Sequence, residues 1–355
     1  MATPQSFRAA IIPEKGSRHK ISTRSLPPLN PDEVAIRITA TAINPVDWKI
    51  RDYGIFLKSY PAILGTDAAG EIVSVGDTVS DFAVGDRVFF QGIVGNYDAS
   101  TFQEYCKMPA ALVGKTPRSV SDEQAAGISL ATVAAVTGLY DKSGRGLAIP
   151  PWEREGGSVV GNGKAIVVLG GSSSVGQYVI QLARLSGFER IVTSASLVHE
   201  GALKRLGAHV VLDRKMTTLG DYEAALNGVA LDFVFDSISL PETQRLGVEI
   251  LQRYKSDAGG AVVTVLGADE GARLLGASKE PAVEVRQVMG LGSLPTLRYL
   301  TEPLMKHLGG EGGWLATGQY RPNRPVVVEG GLEKLDEALD KNRAGVSGEK
   351  VVICP

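Results

Sequence analysis

Residues 164–187 read KAIVVLGGSSSVGQYVIQLARLSG, and the fold class is inferred from them first. Its first seven residues are an apolar run typical of a buried strand, and residues 174–187 have the spacing of a helix that stops at glycine. The small residues between them let the backbone approach a pyrophosphate, and the start of the helix favours its negative charge. Serines fill places often held by glycine, and we expect their hydroxyls to donate to phosphate oxygens. The predicted phosphate contacts are Gly171, Ser172, Ser173, Ser174, Val175 and Gly176.

The same alternation of strand and helix continues to about residue 308. Further apolar strands are predicted at 189–195, 208–213, 231–238 and 260–267, and a short helix at 200–207. Continuous apolar strands that alternate with helices indicate a parallel sheet covered on both faces. The predicted fold class is α/β, with a doubly wound parallel-sheet (Rossmann) nucleotide domain.

The end of the second strand indicates which nicotinamide cofactor this domain takes. An NAD site usually has Asp or Glu about 20 residues past the glycine turn, but residues 193–196 read Thr-Ser-Ala-Ser without an acid. Serines accept a 2′-phosphate that a carboxylate would repel, and so we predict NADP(H). The expected contacts are Ser194, Ser196, His199 and Arg214, with the backbones of Val265 and Leu266 at the end of the fifth strand. Lys204, Arg205 and Lys215 add positive charge, unless they only solvate a helix face.

The regions on either side of this domain have a different pattern. Residues 1–135 contain short β-rich runs between glycines, at 33–43, 69–76 and 85–92. Ser121 with Gln124 three positions on predicts a capping box at the start of one or two helices over 121–140. Residues 141–163 are rich in glycine and predict a loop. The tail, with strands at 324–331 and 349–355 and a helix at 332–345, is expected to return to the first domain.

Composition excludes several classes of function. The 355 residues suggest two domains. A net charge of −2 argues against a nucleic-acid partner, which needs a concentrated positive field. No run approaches the roughly 20 apolar residues of a membrane span, and the N-terminal residues lack the core of a signal peptide, so a cytoplasmic location is expected.

Five segments together carry a resemblance to a known superfamily: NPVDWK (44–49), LGTDAAGEIVSVG (64–76), FAVGDRVFF (82–90), VTGL (136–139) and GEKVVI (348–353). They resemble the medium-chain dehydrogenase/reductases over nearly the whole chain. NPVDWK followed by GTDAAG is most similar to fungal trans-acting enoyl reductases and related double-bond reductases. The resemblance implies a discontinuous, mainly β, GroES-like barrel domain at 1–135 and 309–355, and a Rossmann domain at 136–308.

Zinc is not expected in this chain. Zinc alcohol dehydrogenases of the superfamily place Cys and His-Glu ligands in segments that here read Asn44–Asp47 and Gly65–Asp67, without Cys or His. Their four-cysteine lobe is also missing. Because zinc takes a tetrahedral set of N or S ligands, the two cysteines and four histidines, far apart in sequence, do not supply one.

Without zinc, reduction of a C=C bond conjugated to a carbonyl is the predicted reaction. Hydride from NADPH adds at the β-carbon, negative charge moves to the carbonyl oxygen, and the protein must donate a hydrogen bond there and let a proton reach the α-carbon. The resemblance implies Lys49 as the donor, with Tyr53 as the second candidate. Asp47 is expected to shape the nicotinamide pocket or hold Lys49, and Thr137 and Lys350 to contact the cofactor. Val288, Met289, Gly290 and Leu291 are expected to line an acyl pocket.

Two other functions stay open from the sequence. One is an NADPH quinone or carbonyl reductase of the same fold, and the other is a non-catalytic nucleotide-binding protein. The expected substrate is a small α,β-unsaturated carbonyl compound or acyl thioester, and the resemblance implies a polyketide synthase as partner. It leaves a monomer and a homodimer both open.

Overall fold

The computed structural model describes residues 4–254, 260–280 and 282–355. The chain divides into two compact units, one made of residues 1–130 and 292–355 and the other of residues 131–291. The first boundary expected from the sequence, at 135, lies five residues from this division, whereas the second, at 309, lies 17 residues beyond it. Residues 292–308, expected in the nucleotide domain, fall in the first unit.

The elements follow one another in chain order. Before residue 141 they are β1 (Phe7–Ile12), β2 (Lys20–Arg24), β3 (Glu33–Ala42), α1 (Pro45–Tyr53), β4 (Ala62–Ile63), β5 (Ala68–Val75), β6 (Arg87–Phe90), β7 (Tyr105–Pro109), β8 (Val113–Lys115), α2 (Asp122–Ala125) and α3 (Ser129–Tyr140). Next come β9 (Lys164–Leu169), α4 (Ser174–Leu185), β10 (Arg190–Ala195), α5 (Glu200–Leu206), β11 (Val210–Asp213), α6 (Leu219–Leu226), β12 (Ala230–Asp236), α7 (Pro241–Tyr254), β13 (Gly260–Thr264), α8 (Glu270–Ala277) and β14 (Val283–Gln287). The last are α9 (Arg298–Leu308), β15 (Arg324–Val327), α10 (Leu335–Ala344) and β16 (Glu349–Ile353).

The first unit is mainly β. Among the described strands, one sheet has the order β15-β16-β3-β5-β6-β8 with β7 also paired to β3, and a second has the order β2-β1-β4. Its core includes Ile36, Ile72 and Val88, all fully buried, each of which contributes about 1.5–3 kcal/mol on burial. Strand β16 pairs antiparallel with β3, Val352 opposite Ala42. This confirms that the tail returns to the first domain.

The second unit is a parallel sheet of strand order β11-β10-β9-β12-β13-β14 in the described part of the chain. Consecutive residues Ile166, Val167 and Val168 of β9 point to opposite faces, and all three are fully buried. Both faces of the sheet are therefore covered, which is why its strands read as unbroken apolar runs. The predicted doubly wound fold is confirmed, and the strand order reverses beside β9, where ligands bind in such sheets.

Several local predictions are also confirmed. The Ser121 hydroxyl accepts from the Gln124 N–H, and the Gln124 side chain accepts from the Ser121 N–H, so the capping box forms. The residues after it form two helices, α2 and α3. No helix in the described ranges is long and apolar enough to cross a membrane.

Candidate active site

The glycine turn, residues 170–176, connects β9 to α4 and requires two of its glycines. A Cβ on Gly171 would lie 2.1 Å from Thr193 Oγ1, and one on Gly176 would lie 2.4 Å from the Gly170 carbonyl oxygen. Both distances are far inside van der Waals contact, so any larger residue would displace the turn. The first N–H groups of α4 have no acceptor within the helix. Gly171 therefore lets the turn pack closely against β10, and Gly176 lets the turn close on itself. The backbone donors at the start of α4 fit a pyrophosphate.

The three serines of this turn have different roles. Ser173 is the N-cap of α4: its hydroxyl accepts from the Gly176 N–H at 2.9 Å and donates to Ser237 Oγ at 2.9 Å. The Ser173 hydroxyl therefore donates its proton to Ser237, whereas the sequence led us to expect a bond to a phosphate oxygen. The hydroxyls of Ser172 and Ser174 are half-buried and make no hydrogen bond to any other described residue. These two serines keep a free donor.

The end of β10 shows how the predicted 2′-phosphate contacts are arranged. Ser194 is buried, and its hydroxyl bonds the Tyr222 phenol, whose pKa is raised by burial. Ser196 and His199 are half-buried in the turn that follows, and Arg214 is exposed, with its N–H donating to the Ala195 carbonyl at 3.0 Å. No acid stands on the end of β10 itself.

An acid that the sequence analysis did not weigh lies on the neighbouring strand. Asp213 is paired in register with Ala195, the last residue of β10. Its carboxylate accepts the N–H of Lys215 at 3.0 Å. The backbone of Lys215, and not its basic side chain, therefore occupies one oxygen of this carboxylate.

Val265 and Leu266 directly follow β13, at the carboxyl edge of the sheet, and Thr137 lies on α3. The Val265 N–H donates to Ser239 Oγ at 2.9 Å, and the Leu266 carbonyl accepts from Thr264 Oγ1 at 2.8 Å. Both groups proposed for the carboxamide thus have partners within the protein. The Thr137 hydroxyl is buried and donates to the Val133 carbonyl of its own helix at 2.8 Å.

The segment expected to line an acyl pocket directly follows β14. Val288 is buried, with its N–H bonded to the Thr264 carbonyl at 2.8 Å, and Met289 is 46% exposed. Gly290 and Leu291 are half-buried. Because the strands are parallel, this segment and the glycine turn lie at the same, carboxyl, edge of the sheet.

In the first unit, the predicted donor Lys49 lies on α1, a helix with sequence-encoded ends. Asn44 is the N-cap, proline occupies the first position, and Gly54 ends the helix in the left-handed conformation. Lys49 is half-buried, and burial lowers the pKa of its amine. Its Nζ lies 5.4 Å from the centroid of the Trp48 ring and makes no hydrogen bond to the described residues. Tyr53 is 56% exposed and packs edge-on against Trp48.

A group of five polar residues surrounds the first turn of α1, and we call it the polar cluster: Asn44, Asp47, Thr66, Asp67 and Lys350. The Asp47 carboxylate accepts from the Asn44 N–H at 2.7 Å and from the Thr66 hydroxyl at 2.9 Å. The Asn44 amide donates to Thr66 Oγ1 at 3.3 Å and to Asp67 Oδ2 at 3.4 Å. Lys350 Nζ donates to Asn44 Oδ1 at 2.5 Å and lies 3.6 Å from Asp67 Oδ2.

Burial dominates the electrostatics of this cluster. It raises the pKa of Asp47 to about 7 and that of Asp67 to about 6, against the opposing charge of Lys350. Burial also lowers the pKa of Lys350, against the opposing charges of the two carboxylates. The Lys350 side chain is 4% exposed, so a cofactor contact would require its amine to leave Asn44.

The opposite end of α1 is held by an ionic network. Arg51 donates to Asp52, Asp336 and Asp340, at 2.7–3.0 Å. The Asp336 carboxylate also accepts from the backbone N–H of His19 at 2.8 Å and bonds its Nδ1 at 2.9 Å. Burial alone would raise the pKa of Asp336, but the hydrogen bonds and charge of its partners outweigh it and lower that pKa to about 2.

Sequence reasoning placed Asp47 and Lys350 in the site separately but did not connect them. It treated Asn44, Thr66 and Asp67 only as the residues found where zinc relatives have ligands. The signal available was that these positions all carry polar or acidic residues. In the described part of the chain, no group of three or more His, Cys, Asp or Glu residues is arranged to hold a metal ion.

Comparison with known proteins gives a consistent result over the whole chain. Residues 30–118 match the alcohol dehydrogenase GroES-like domain. A trans-enoyl reductase of Aspergillus japonicus is 33% identical, with 97% of this chain and 98% of the relative covered. A trans-enoyl reductase of Aspergillus flavipes is 32% identical, with 98% and 99% covered.

Solved structures share the fold. An alcohol dehydrogenase superfamily protein from Novosphingobium aromaticivorans has a TM-score of 0.76 at 22% identity, covering 98% of this chain and 99% of that one. The quinone oxidoreductase from Coxiella burnetii has a TM-score of 0.70 at 20% identity, covering 99% of each chain. At these identities the likeness concerns the fold alone.

Proposed function

This chain belongs to the medium-chain dehydrogenase/reductase superfamily, among the relatives of the fungal trans-enoyl reductases, and from that premise we propose that it reduces a C=C bond conjugated to a carbonyl with NADPH. The observation that carries the proposal is the glycine turn. Its two obligatory glycines and free serine hydroxyls lie at the carboxyl edge of a doubly wound sheet. That is where dinucleotides bind in this architecture.

The cofactor contacts follow from the groups that remain available. Gly171 and Gly176 would keep the turn in the compact shape that holds the pyrophosphate, and Ser172, Ser174 and the Val175 N–H would donate to it. Ser173 would contribute indirectly, because its N-cap bond to the Gly176 N–H holds the start of α4 in place. Ser196, His199 and Arg214 are the proposed contacts of a 2′-phosphate, with buried Ser194 behind them and Val265, Leu266 and Thr137 proposed near the nicotinamide.

A bound nicotinamide supplies the hydride, and the chain must stabilise the charge that forms on the carbonyl oxygen. Lys49 suits this role because its amine makes no hydrogen bond to another described side chain and its pKa is lowered by burial, which eases proton release. Removing one donor to such an oxygen typically costs about 10²–10³ in kcat. Tyr53 is the second candidate for the proton, and Asp47 holds the helix on which both lie.

The substrate proposed is an α,β-unsaturated acyl thioester, with Val288, Met289, Gly290 and Leu291 lining its acyl chain. The curated relatives are named trans-enoyl reductases. We propose a polyketide synthase as the partner that presents the thioester.

The experiment is an NADPH oxidation assay with an α,β-unsaturated acyl thioester, an unsaturated aldehyde and a quinone, each against NADH as well. We expect thioester or aldehyde turnover, a preference for NADPH, and at least a 10²-fold loss of kcat in Lys49→Ala with little change in NADPH affinity. Lys58→Ala is the matched control, because Lys58 is an exposed lysine a short distance along the chain.

Each alternative has its own outcome. Turnover of the quinone alone would replace the proposed reaction by quinone reduction. NADPH binding without turnover of any acceptor would favour a non-catalytic nucleotide-binding protein. Failure to bind NADPH in a fluorescence titration would overturn the enzyme assignment.

A further inference from the structure

We propose that Lys350 is a positioning residue: its ammonium, fixed in the polar cluster, holds the first turn of α1 and through it the amine of Lys49. The inference rests on the proposed function, because it concerns the residue we assign as donor. It gives Lys350 a role through Asn44 instead of a direct contact with the cofactor.

Lys350 lies in the protein interior, in a space that the neighbouring backbone leaves open for its side chain. Lysine is almost never fully buried unless it is paired, yet this side chain is 4% exposed. A Cβ on Gly127 would lie 2.8 Å from Lys350 Cγ, so the absence of a side chain there makes room for the lysine stem. The ammonium at the end of that stem meets one amide oxygen and one carboxylate.

The hydrogen bond from Lys350 fixes which way the side-chain amide of Asn44 faces. An amide can rotate to exchange its oxygen and nitrogen, but only an oxygen can accept from an ammonium. With Oδ1 directed at Lys350, the Nδ2 group is directed at Thr66 and Asp67. Lys350 therefore selects the orientation in which the N-cap residue of α1 bonds to the rest of the cluster.

Asn44, the N-cap of α1, is linked to Lys49 through the first turn of that helix. The Asn44 N–H is held by Asp47 in the first turn of α1, and Lys49 lies two residues further along the same helix. A rigid first turn fixes the direction of the Lys49 side chain. Misplacement of a reacting group by about 1 Å is enough to lower a rate about 10²-fold.

The positive charge in the polar cluster comes from the ammonium of Lys350 and not from a metal ion. Segments 44–47 and 65–67 match those in which zinc relatives hold their metal ligands, and here they surround an ammonium. The charged groups that face it are Asp47 from α1 and Asp67 from the connection between β4 and β5, and its other neighbours, Asn44 and Thr66, are neutral. The Leu130 N–H donates to the second oxygen of Asp67 at 3.1 Å.

The test compares Lys350→Met, which keeps the length but loses the charge, with Lys350→Arg, which keeps the charge. We expect kcat with the acyl thioester to fall about 10- to 10²-fold in Lys350→Met, with KM and the NADPH dissociation constant within about threefold of wild type. Lys350→Arg should recover most of kcat. Full activity in a folded Lys350→Met protein would overturn the proposal.

A second measurement needs no cofactor and no turnover. The pH dependence of Lys49 acetylation, followed by mass spectrometry with Lys58 as internal reference, reports the pKa of the Lys49 amine. In wild type the midpoint should lie below the ordinary lysine value, and in Lys350→Met it should move up as the loosened helix exposes the amine to water. An unchanged midpoint would show that Lys350 does not control Lys49.

Folding is separated from positioning by the double variant Lys350→Met with Asp67→Asn. It removes both members of the closest ion pair together, so that Asp67 is not left as a buried carboxylate without Lys350, and Asp47 is the one carboxyl of the polar cluster that remains. We expect it to unfold later than Lys350→Met alone but to keep the lowered kcat. If kcat recovers together with stability, Lys350 has only a structural role. If wild type turns over no acceptor, the proposed function fails, while the acetylation arm still decides the role of Lys350.

Discussion

Replacing Asp336 by Asn should destabilise the first unit by an amount that the pKa of this carboxyl predicts. Its pKa is lowered from 3.8 to about 2 by His19 and Arg51, against the effect of burial. A difference of roughly 1.8 units at 1.36 kcal/mol per unit corresponds to about 2.4 kcal/mol of stability at pH 7. The side chain is 18% exposed, so solvent screening reduces this only modestly.

The sign of the pH dependence is fixed by the direction of the shift. A carboxyl whose pKa is lower in the folded state stabilises the protein above the unfolded pKa, near pH 4, and loses this contribution as the pH falls toward 2. The difference between wild type and Asp336→Asn should fall, near pH 3, to about half of its value at pH 5.

The assay is urea unfolding followed by circular dichroism at several pH values, with the midpoint and slope fitted separately. Asp77→Asn is the control, because Asp77 is an exposed aspartate of the same unit. A loss below about 0.5 kcal/mol at pH 7, or a loss that is the same at pH 7 and pH 3, would refute the assignment of this shift to His19 and Arg51.

Three further predictions concern residues of each unit taken by itself. Gly171→Ala should weaken NADPH binding at least tenfold in a fluorescence titration, because its Cβ would meet Thr193, whereas Gly312→Ala, with open space around it, should not. Arg214→Ala should raise the KM for NADPH about tenfold and leave the KM for NADH unchanged; equal changes for both would remove Arg214 from 2′-phosphate recognition. Asp67→Asn should flatten the pH dependence of thermal stability. The pKa of Asp67 is raised to about 6, so its contribution is present below pH 4 and lost as the pH rises through 6. A steeper profile in the variant would contradict this.

The sequence predicted the second unit better than the first. Unbroken apolar strands such as β9 identify a sheet covered on both faces, and the strand order then follows from known right-handed crossovers. Helices α6, α7 and α8 and strand β14 were not assigned, although their place in the alternation is regular. In the first unit, no helix was predicted at NPVDWK, whereas this segment opens α1. The cap, the proline and the terminal Gly54 were all visible, but the helix has few apolar residues to mark its period.

The polar cluster could not be predicted from local sequence. Asn44 and Lys350 are 306 residues apart, and only the pairing of β16 with β3 brings them together. The roles of Ser173 and Val265 were likewise hidden, because their partners Ser237 and Ser239 follow a different strand. Composition and spacing identify residue types, whereas hydrogen-bond partners depend on register.

The pairing of β16 with β3 has a consequence for how the chain acquires its structure. Strand β3 is synthesised early, yet part of its edge near Ala42 has its partner only when residues 349–353 have been made. Until the last strand is made, that edge of β3 is unpaired, and Asp67 lacks the ammonium of Lys350. An unpaired strand edge promotes association with other chains. Residues 131–291 form a compact unit between the two halves, and a compact insert lowers the entropy lost in closing so long a loop. Expression yield should therefore respond to changes in the inserted unit even where they touch nothing in the site.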